Sequence, residues 1–201
     1  MVRHYRGVRE YRRVVVPERN WATELWLYVG EPGTGKSYCA RSEGGRQYWK
    51  QPSQWWDSYD GHEVVIFDEF RDHLRFVKLD YLQRLADRYP LLVETKGGNV
   101  PFLAKRLIIT ANSSPQDWFS KLINSGRSLS ALIRRTTGVK VFLRGSNGEA
   151  VIKEFLSPEE VERFYYNQRY SEKEFLRFCP GEGREIKEDA SFDFGENDVF
   201  F

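Results

Sequence analysis

Short apolar runs alternate with amphipathic stretches along the 201 residues of this chain. The runs ELWLYV (24–29) and EVVIF (63–67) are followed by a glycine and an acidic residue, and they predict strands buried on both faces. RLIITAN (106–112) predicts another strand. Residues 78–89 predict a helix, with one apolar stripe made of Leu79, Leu82, Leu85, Ala86 and Tyr89. Strands alternating with helices predict an α/β fold with a parallel sheet flanked by helices.

Turn and capping residues predict the remaining elements. Gly97-Gly98 lies between two apolar runs and predicts a hairpin. A second hairpin is predicted within residues 139–156. Ser157 and Glu160 form a capping-box pattern that predicts a last helix near 158–170.

Charge is distributed unevenly although the net charge is only +2. Residues 1–20 contain six arginines against two glutamates, whereas 181–201 contain seven acidic residues against two basic ones. We divide the chain into a basic segment (1–20), a core (21–145), a hairpin with a helix (146–180) and an acidic, flexible tail (181–201). No apolar run approaches the roughly 18 residues that span a membrane, so no membrane association is expected.

The loop after the first strand carries the pattern G-x-x-x-x-G-K-[ST], which predicts a phosphate-binding loop between a strand and a helix. Its glycines let backbone N–H groups point at phosphate oxygens, and the following helix start adds partial positive charge. Lys36 is expected to reach the β- and γ-phosphates of ATP, and the Ser37 hydroxyl to ligate Mg²⁺. The predicted nucleotide-binding residues are Gly30, Glu31, Pro32, Gly33, Thr34, Gly35, Lys36, Ser37 and Tyr38.

Polar residues end the next two apolar strands. Asp68 and Glu69 follow one strand, at the edge of an α/β sheet where ligands bind. We expect Asp68 to hold Mg²⁺ and Glu69 to polarise an attacking water. Asn112 ends the other strand and either orients that water or starts an ordinary turn.

Two adjacent arginines, Arg134 and Arg135, are poorly suited to a core. They are either surface charges or an arginine finger that acts on the nucleotide of a neighbouring subunit.

Three stretches carry a family resemblance: YWKQPSQWWDSYDGHEVVIFDEF, LADRYPLLVETKGGNVPFLAKRLIITANSSPQDWF and ALIRRTTGVKVF. They resemble the C-terminal helicase half of circovirus-type replication-associated (Rep) proteins, which are superfamily 3 helicases. The resemblance runs from about Val2 to Phe142 and is most specific over 48–142. It implies a P-loop NTPase with an AAA+-like core, ATP and Mg²⁺ as cofactors, and a homo-oligomeric, hexameric ring. It also implies translocation 3′ to 5′ on single-stranded DNA, in the host cell nucleus.

Carried over by position, the resemblance gives roles to particular residues. Residues 30–37 correspond to Walker A, Asp68-Glu69 to Walker B, Asn112 to the motif C sensor, and Arg134 or Arg135 to the finger. Residues 94–106 resemble the B′ motif with its DNA-contacting hairpin, which makes Lys96, Lys105 and Arg106 the predicted DNA-binding residues. Lys96 is expected to be the only charge at the hairpin tip. One departure is Glu69, where circoviruses usually show a second aspartate.

A full-length Rep of this family begins with a nicking domain that has a His-hydrophobe-His motif and a catalytic tyrosine. Neither precedes the P-loop here, and we interpret YSEK (170–173) as a chance similarity. The chain is therefore expected to be an isolated helicase domain that does not nick DNA.

Two other classes of function share the phosphate loop. A nucleotide kinase or other phosphotransferase would add a lid with several arginines, and a non-catalytic scaffold would bind ATP only to assemble.

Trp49, Trp55, Trp56 and Tyr59 either stack on bases or, as such clusters usually do, pack in the core. The histidines show no metal-ligand spacing, so no role is predicted for them.

Overall fold

The computed structural model describes residues 18–144, 150–166 and 184–186, together with Gly7 and Val15. The described strands are β1 (Glu24–Gly30), β2 (Gln47–Trp49), β3 (Val64–Phe67), β4 (Leu92–Thr95), β5 (Gly98–Pro101), β6 (Arg106–Ala111), β7 (Thr136–Arg144), β8 (Ala150–Phe155) and β9 (Arg184–Ile186). The described helices are α1 (Lys36–Ser42), α2 (Phe70–His73), α3 (Leu79–Leu85), α4 (Pro115–Trp118), α5 (Ser120–Asn124), α6 (Ser130–Ile133) and α7 (Pro158–Tyr166).

A sheet of seven described strands has the order β2-β3-β6-β1-β7-β8-β9. The first five strands in that order run parallel, whereas β8 and β9 are added antiparallel at one edge. The predicted α/β fold with a parallel, P-loop-type sheet is therefore confirmed. In this order β6 lies between β3 and β1 although it follows both in sequence, so three strands that carry predicted site residues are neighbours.

The register aligns the ends of these three strands. Glu24 of β1 and Val64 of β3 both pair with Arg106 of β6. Because the strands are parallel, the segments that follow Gly30, Phe67 and Ala111 all start at the same side of the sheet, where the carboxyl ends of the strands lie. The P-loop, the acidic pair and Asn112 are thereby placed at one edge by the topology alone.

Side chains from the central strands are buried on both faces of the sheet. In β1, Leu25, Leu27 and Val29 belong to the larger hydrophobic cluster, and Tyr28 belongs to the smaller one on the opposite face. Helix α1 covers the face with the smaller cluster, where its Cys39 and Ala40 side chains pack. This two-sided burial explains why the strands read as continuous apolar runs rather than as alternating ones.

Helix α3 is shorter than its hydrophobic stripe predicted. It ends at Leu85, and Tyr89, predicted on the buried stripe, is 69% exposed. The physical reason is a capping contact from the chain before β1. The guanidinium of Arg19 donates to the carbonyl oxygens of Arg84 (3.0 Å), Leu85 (2.8 Å) and Tyr89 (3.0 Å), which ends the helix and turns the chain away.

The hairpin β4–β5 forms a separate two-stranded sheet, as the glycine pair predicted. Leu92 pairs with Pro101 and Thr95 pairs with Gly98, so Lys96 and Gly97 form its tip. Trp56 and Tyr59 are 1% and 3% exposed, so these two members of the aromatic cluster pack in the core rather than stack on bases.

The C-terminal part of the described chain follows the predicted hairpin and helix. Glu160 N–H donates to Ser157 Oγ at 3.1 Å and Ser157 N–H donates to Glu160 Oε2 at 3.0 Å, so the predicted capping box is present. Residues 184–186 form β9 beside β8, at the start of the tail predicted to be flexible. The described residues do not include 1–6, 8–14, 16–17, 145–149, 167–183 and 187–201. Most of the basic segment, the predicted turn of the second hairpin, the YSEK stretch and most of the tail fall in these ranges.

No helix in the described part of the chain is both long and apolar enough to cross a membrane.

We expect Arg19→Met to lower the free energy of unfolding by about 3 kcal/mol, because it removes a charged donor from buried carbonyl oxygens. Arg19 is only 2% exposed, so water does not replace the missing donors. Urea unfolding of wild type, Arg19→Met and Arg19→Lys measures the effect, with the lysine variant expected to be destabilised less. A midpoint for Arg19→Met equal to that of wild type would contradict the role of this contact.

Candidate functional site

The loop between β1 and α1 has the backbone of a phosphate cradle. Gly33 and Gly35 have φ angles of 74° and 88°, which residues with a side chain rarely adopt. Gly30 is needed for a different reason. A Cβ atom there would lie 2.2 Å from the carbonyl oxygen of Phe142 on the neighbouring strand β7. The motif glycines therefore serve two separate steric constraints.

Lys36 is folded back onto the loop that it is expected to serve. Its Nζ donates to the carbonyl oxygens of Gly30 at 2.9 Å and Glu31 at 2.6 Å. Burial lowers the pKa of Lys36, while the nearby Glu69 and Asp68 carboxylates raise it. The ammonium is thus held at the mouth of the loop by weak neutral acceptors, which phosphate oxygens can replace.

The rest of the loop is arranged around that ammonium. Thr34 is buried and its hydroxyl donates to the Glu31 carbonyl at 2.8 Å, which closes the turn. Glu31 and Pro32 are exposed, and Arg144 Nη2 at the end of β7 donates to the Pro32 carbonyl at 3.1 Å. Tyr38, also predicted at the nucleotide, is 58% exposed in the first turn of α1.

Ser37 and Asp68 meet although they are 31 residues apart in sequence. Ser37 Oγ donates to Asp68 Oδ1 at 2.7 Å. Both are oxygen donors of the kind that Mg²⁺ prefers, and Mg²⁺ is normally completed by water and substrate phosphates. Among the described residues no group of three or more His, Cys, Asp or Glu side chains converges as a metal site. The oxygen pair of Ser37 and Asp68 fits a Mg²⁺ ion that is shared with a nucleotide.

Glu69 and Asn112 are also brought together. Asn112 Nδ2 donates to Glu69 Oε2 at 3.2 Å, and both side chains are exposed at the sheet edge. The amide and the carboxylate predicted to act on water thus share one hydrogen bond beside the P-loop. Ser37, Asp68, Glu69 and Asn112, which follow three different strands, therefore converge here.

The two arginines lie at the amino ends of the parallel strands, on the side of the sheet opposite to the P-loop. They follow α6 and precede β7, whose Thr136 pairs with Leu25 near the start of β1. The P-loop begins at Gly30, five residues further along β1, which is about 17 Å at the rise of a strand. Neither arginine is brought to the P-loop of its own chain.

The two arginines also differ from each other. Arg135 donates to Asp87 Oδ2 at 2.7 Å from Nη2 and to the Ala131 carbonyl from Nη1. This contact lowers the pKa of the Asp87 carboxyl. The Arg134 side chain is exposed, and no described group forms a hydrogen bond or ion pair with it. Arg134 is the arginine that remains available to a neighbouring molecule.

The hairpin tip carries a second charge that the sequence did not predict. Asp57, in the loop after β2, accepts the Lys96 N–H at 2.7 Å, and its other oxygen lies 3.8 Å from Lys96 Nζ. The loop reaches the tip because Trp56 N–H donates to the Glu94 carbonyl at 2.7 Å. Lys96 is nevertheless 74% exposed. The expectation that it is the only charge at the tip is wrong, but its ammonium faces solvent.

Lys105 and Arg106, the other predicted DNA contacts, lie at the start of β6. The Lys105 side chain is 70% exposed and lies 3.5 Å from Glu63. Arg106 donates to Glu24 at 2.9 Å and to Glu43 at 2.5 Å, and joins β6, β1 and the end of α1. A phosphate contact by Arg106 would first have to break two ion pairs. Lys96, Lys105 and Arg106 all stay predicted contacts, and Arg106 is the least exposed of the three.

Two residues that the sequence did not single out contact the acidic pair. Thr110 Oγ1 on β6 donates to Asp68 Oδ1 at 2.6 Å and accepts the Glu69 N–H at 3.0 Å. His73 Nε2 lies 3.0 Å from the Asp68 carbonyl oxygen. The only sequence signal for Thr110 is its position two residues before Asn112, and none of the histidines had been given a role.

Known proteins are similar in sequence to a large part of this chain. A family model described as RNA helicase matches residues 25–113, from β1 to just past Asn112. The replication-associated protein of porcine circovirus 1 is 46% identical over 141 residues, which cover 68% of this chain and 44% of that protein. This chain is similar to circovirus replication-associated proteins. The predicted resemblance to that family is confirmed.

Other comparisons define how far the homology extends. The replication-associated protein of goose circovirus is 39% identical over 158 residues, which cover 78% of this chain and 51% of that protein. The chain thus spans about half the length of the circovirus relatives that it matches. Among solved structures, the ATPase DotB of Legionella pneumophila is matched with a TM-score of 0.37 and 10% identity, covering 89% of this chain and 61% of that chain.

Proposed function

We propose that this chain is the ATP-hydrolysing helicase motor of a viral replication protein. The observation that carries the proposal is the convergence of the Ser37–Asp68 and Asn112–Glu69 hydrogen bonds at the mouth of the P-loop. A loop that only binds ATP needs no carboxylate and amide at that edge. A site that hydrolyses ATP needs both, to take a proton from water and to orient it.

The residues support a direct hydrolysis step. The loop backbone and Lys36 hold the phosphates, and Asn112 orients a water against the γ-phosphorus. As the oxygen–phosphorus bond forms, the water proton passes to Glu69 and the bond to the β,γ-bridging oxygen breaks. Mg²⁺, held by Ser37 and Asp68, would neutralise charge on the β- and γ-phosphates.

We expect Lys36→Ala to abolish ATP hydrolysis and Glu69→Gln to slow it about a hundredfold while ATP still binds, the scale of removing a general base. The assay measures phosphate release by wild type and both variants, with ATP binding followed by a fluorescent analogue. Exposed Glu159 on α7 provides the matched control, Glu159→Gln, which is expected to behave as wild type.

The same assay separates the other classes of function. Phosphate transfer to a nucleoside monophosphate, with little release to water, would favour a kinase. Tight ATP binding with no hydrolysis in wild type would favour an assembly scaffold. Normal hydrolysis by folded Lys36→Ala would remove the site assignment itself.

We further propose that the motor works as a hexameric ring in which Arg134 acts on the nucleotide of the neighbouring subunit. The support is the position of Arg134 at the amino edge of the sheet, exposed and far from its own P-loop. Arg135 is held by Asp87 and suits a supporting role better than a finger. A finger supplied by a partner allows hydrolysis only at an assembled interface.

Mixing Arg134→Ala with Lys36→Ala tests this arrangement. Each variant alone is expected to be inactive, with Arg134→Ala reduced about 10³-fold or more. Mixed assemblies contain some interfaces with an intact loop and an intact finger, so part of the activity should return. Absence of recovery, in assemblies that native mass spectrometry has shown to be mixed, would place Arg134 outside the active interface.

We propose single-stranded DNA as the track, with movement 3′ to 5′. Support comes from the relatives, which are named replication-associated proteins, and from two exposed lysines, Lys96 at the hairpin tip and Lys105 just before β6. A flexible lysine contacts any phosphate and ignores base identity, as a motor requires. The matching family model is described as RNA helicase, so RNA is the competing track.

We expect Lys96→Ala to weaken binding to all single-stranded DNA sequences about equally. The salt slope should fall by about 0.7 log units for each phosphate that the variant no longer neutralises. Basal ATP hydrolysis should survive, because Lys96 does not contact the P-loop. Salt titrations with DNA and RNA of equal length measure this, and exposed Lys121→Ala on α5 is the charge-matched control. Equal slopes for wild type and Lys96→Ala would exclude this contact, and tighter RNA binding would change the track.

A further inference from the structure

The peptide unit that joins Asp68 to Glu69 is held by side chains on both sides. Its carbonyl oxygen lies 3.0 Å from His73 Nε2, and its N–H donates to Thr110 Oγ1 at 3.0 Å. His73 ends α2, and Thr110 lies on β6. One peptide unit is therefore fixed by two elements that do not contain it.

This fixation coincides with local backbone strain. Glu69 has φ 51° and ψ 59°, the left-handed region that a glutamate rarely adopts. Such a conformation costs about 1–2 kcal/mol and persists only where the surroundings hold it. A relaxed Glu69 would rotate its N–H and its carboxylate away from their present directions. The two hydrogen bonds to the preceding peptide unit oppose that rotation.

Thr110 makes more hydrogen bonds to the acidic pair than His73 does. It is fully buried, and its single hydroxyl both donates to Asp68 Oδ1 at 2.6 Å and accepts the Glu69 N–H. A hydroxyl has one proton to donate and lone pairs to accept, so both bonds form at once. Because β6 lies between β3 and β1, Thr110 cannot move without moving the centre of the sheet.

His73 is suited to hold the carbonyl oxygen as a neutral ring. It is 2% exposed, with its ring 5.0 Å from that of Phe67 and stacked on Phe70. Burial and, to a smaller extent, the charge of Lys50 lower the pKa of His73 to about 4, while the hydrogen bond to the Asp68 carbonyl and the charges of Asp72 and Asp68 oppose this shift. The carbonyl partner assigns the single proton to Nε2, so His73 donates. Nδ1 is then a buried acceptor that no described group contacts by a hydrogen bond.

We propose that Thr110 and His73 are positioning residues for Glu69, which keep its backbone left-handed and its carboxylate within reach of Asn112 and the P-loop. The inference rests on the proposed function. A merely structural role predicts that substitutions lower stability and leave the chemistry of surviving folded protein unchanged. A positioning role predicts that they slow hydrolysis in protein that is folded and binds ATP.

Thr110→Val removes both hydrogen bonds and keeps the shape, whereas Thr110→Ser keeps the hydroxyl. We expect Thr110→Val to lower kcat about 100-fold, the scale of a small misplacement of a reacting group. Thr110→Ser should remain within about threefold of wild type for kcat. Affinity for a fluorescent ATP analogue without Mg²⁺ should change less than about threefold in both variants, because the residue 110 side chain does not contact the P-loop backbone or Lys36.

A second pair of variants tests His73 independently and keeps the test valid if Thr110→Val does not fold. His73→Phe keeps an aromatic ring without a donor, and His73→Gln returns an N–H at a similar reach. We expect kcat to fall about tenfold for His73→Phe and to be partly rescued by His73→Gln. Circular dichroism and thermal unfolding check each variant for folding.

The dependence of the Thr110→Val effect on Glu69 distinguishes a positioning role of Thr110 from an effect through Asp68 or through the fold. In a Glu69→Gln background, single-turnover hydrolysis should fall less than about threefold further on adding Thr110→Val, because the group being positioned is already disabled. An undiminished effect in that background would show that Thr110 acts through Asp68 or the fold, and would overturn the inference. So would wild-type kcat in folded Thr110→Val or His73→Phe. A wild-type chain without Lys36-dependent hydrolysis would instead overturn the proposed function, and this inference with it.

Discussion

One carboxylate oxygen, Asp68 Oδ1, connects the parts of the candidate site. It accepts a hydrogen bond from Ser37 at the start of α1 and another from Thr110 on β6, while Asp68 itself follows β3. Three segments that are far apart in sequence are thereby locked at one edge of the sheet. An ionised carboxylate has enough lone pairs to serve both hydroxyls and still face a cation. The relative position of loop, acid pair and sensor strand depends on this junction.

The parallel sheet makes that junction possible and also separates two functions in space. Because β1 and β7 run in the same direction, the P-loop follows the carboxyl end of β1, whereas Arg134 lies before the amino end of β7, on the opposite side of the sheet. A single chain therefore carries both halves of the proposed reaction site but cannot join them. Assembly of several copies supplies what the fold separates, and this links hydrolysis to the ring that we propose.

Many of the basic side chains near the site already have partners. Arg106 and Lys140 both contact Glu43, and Arg135 contacts Asp87. These charges stabilise the joints between helices and strands. Lys96, Lys105 and Arg134, to which we assign contacts with other molecules, instead expose their side chains to solvent. Burial within ion pairs thus marks the structural charges, which net charge does not reveal.

The sequence alone determined the strands, the phosphate loop and the residue types of the site, because strand burial and glycine geometry are encoded within short windows. It also indicated the resemblance to circovirus replication-associated proteins, since motifs such as VVIFDEF and LIITAN are specific in combination. Only the tertiary structure decided that Arg135 is engaged, that Asp57 lies at the hairpin tip and that Thr110 and His73 hold the acidic pair. These contacts join residues that are distant in sequence or in unrelated patterns, and no local window contains the strand order that brings them within hydrogen-bonding distance.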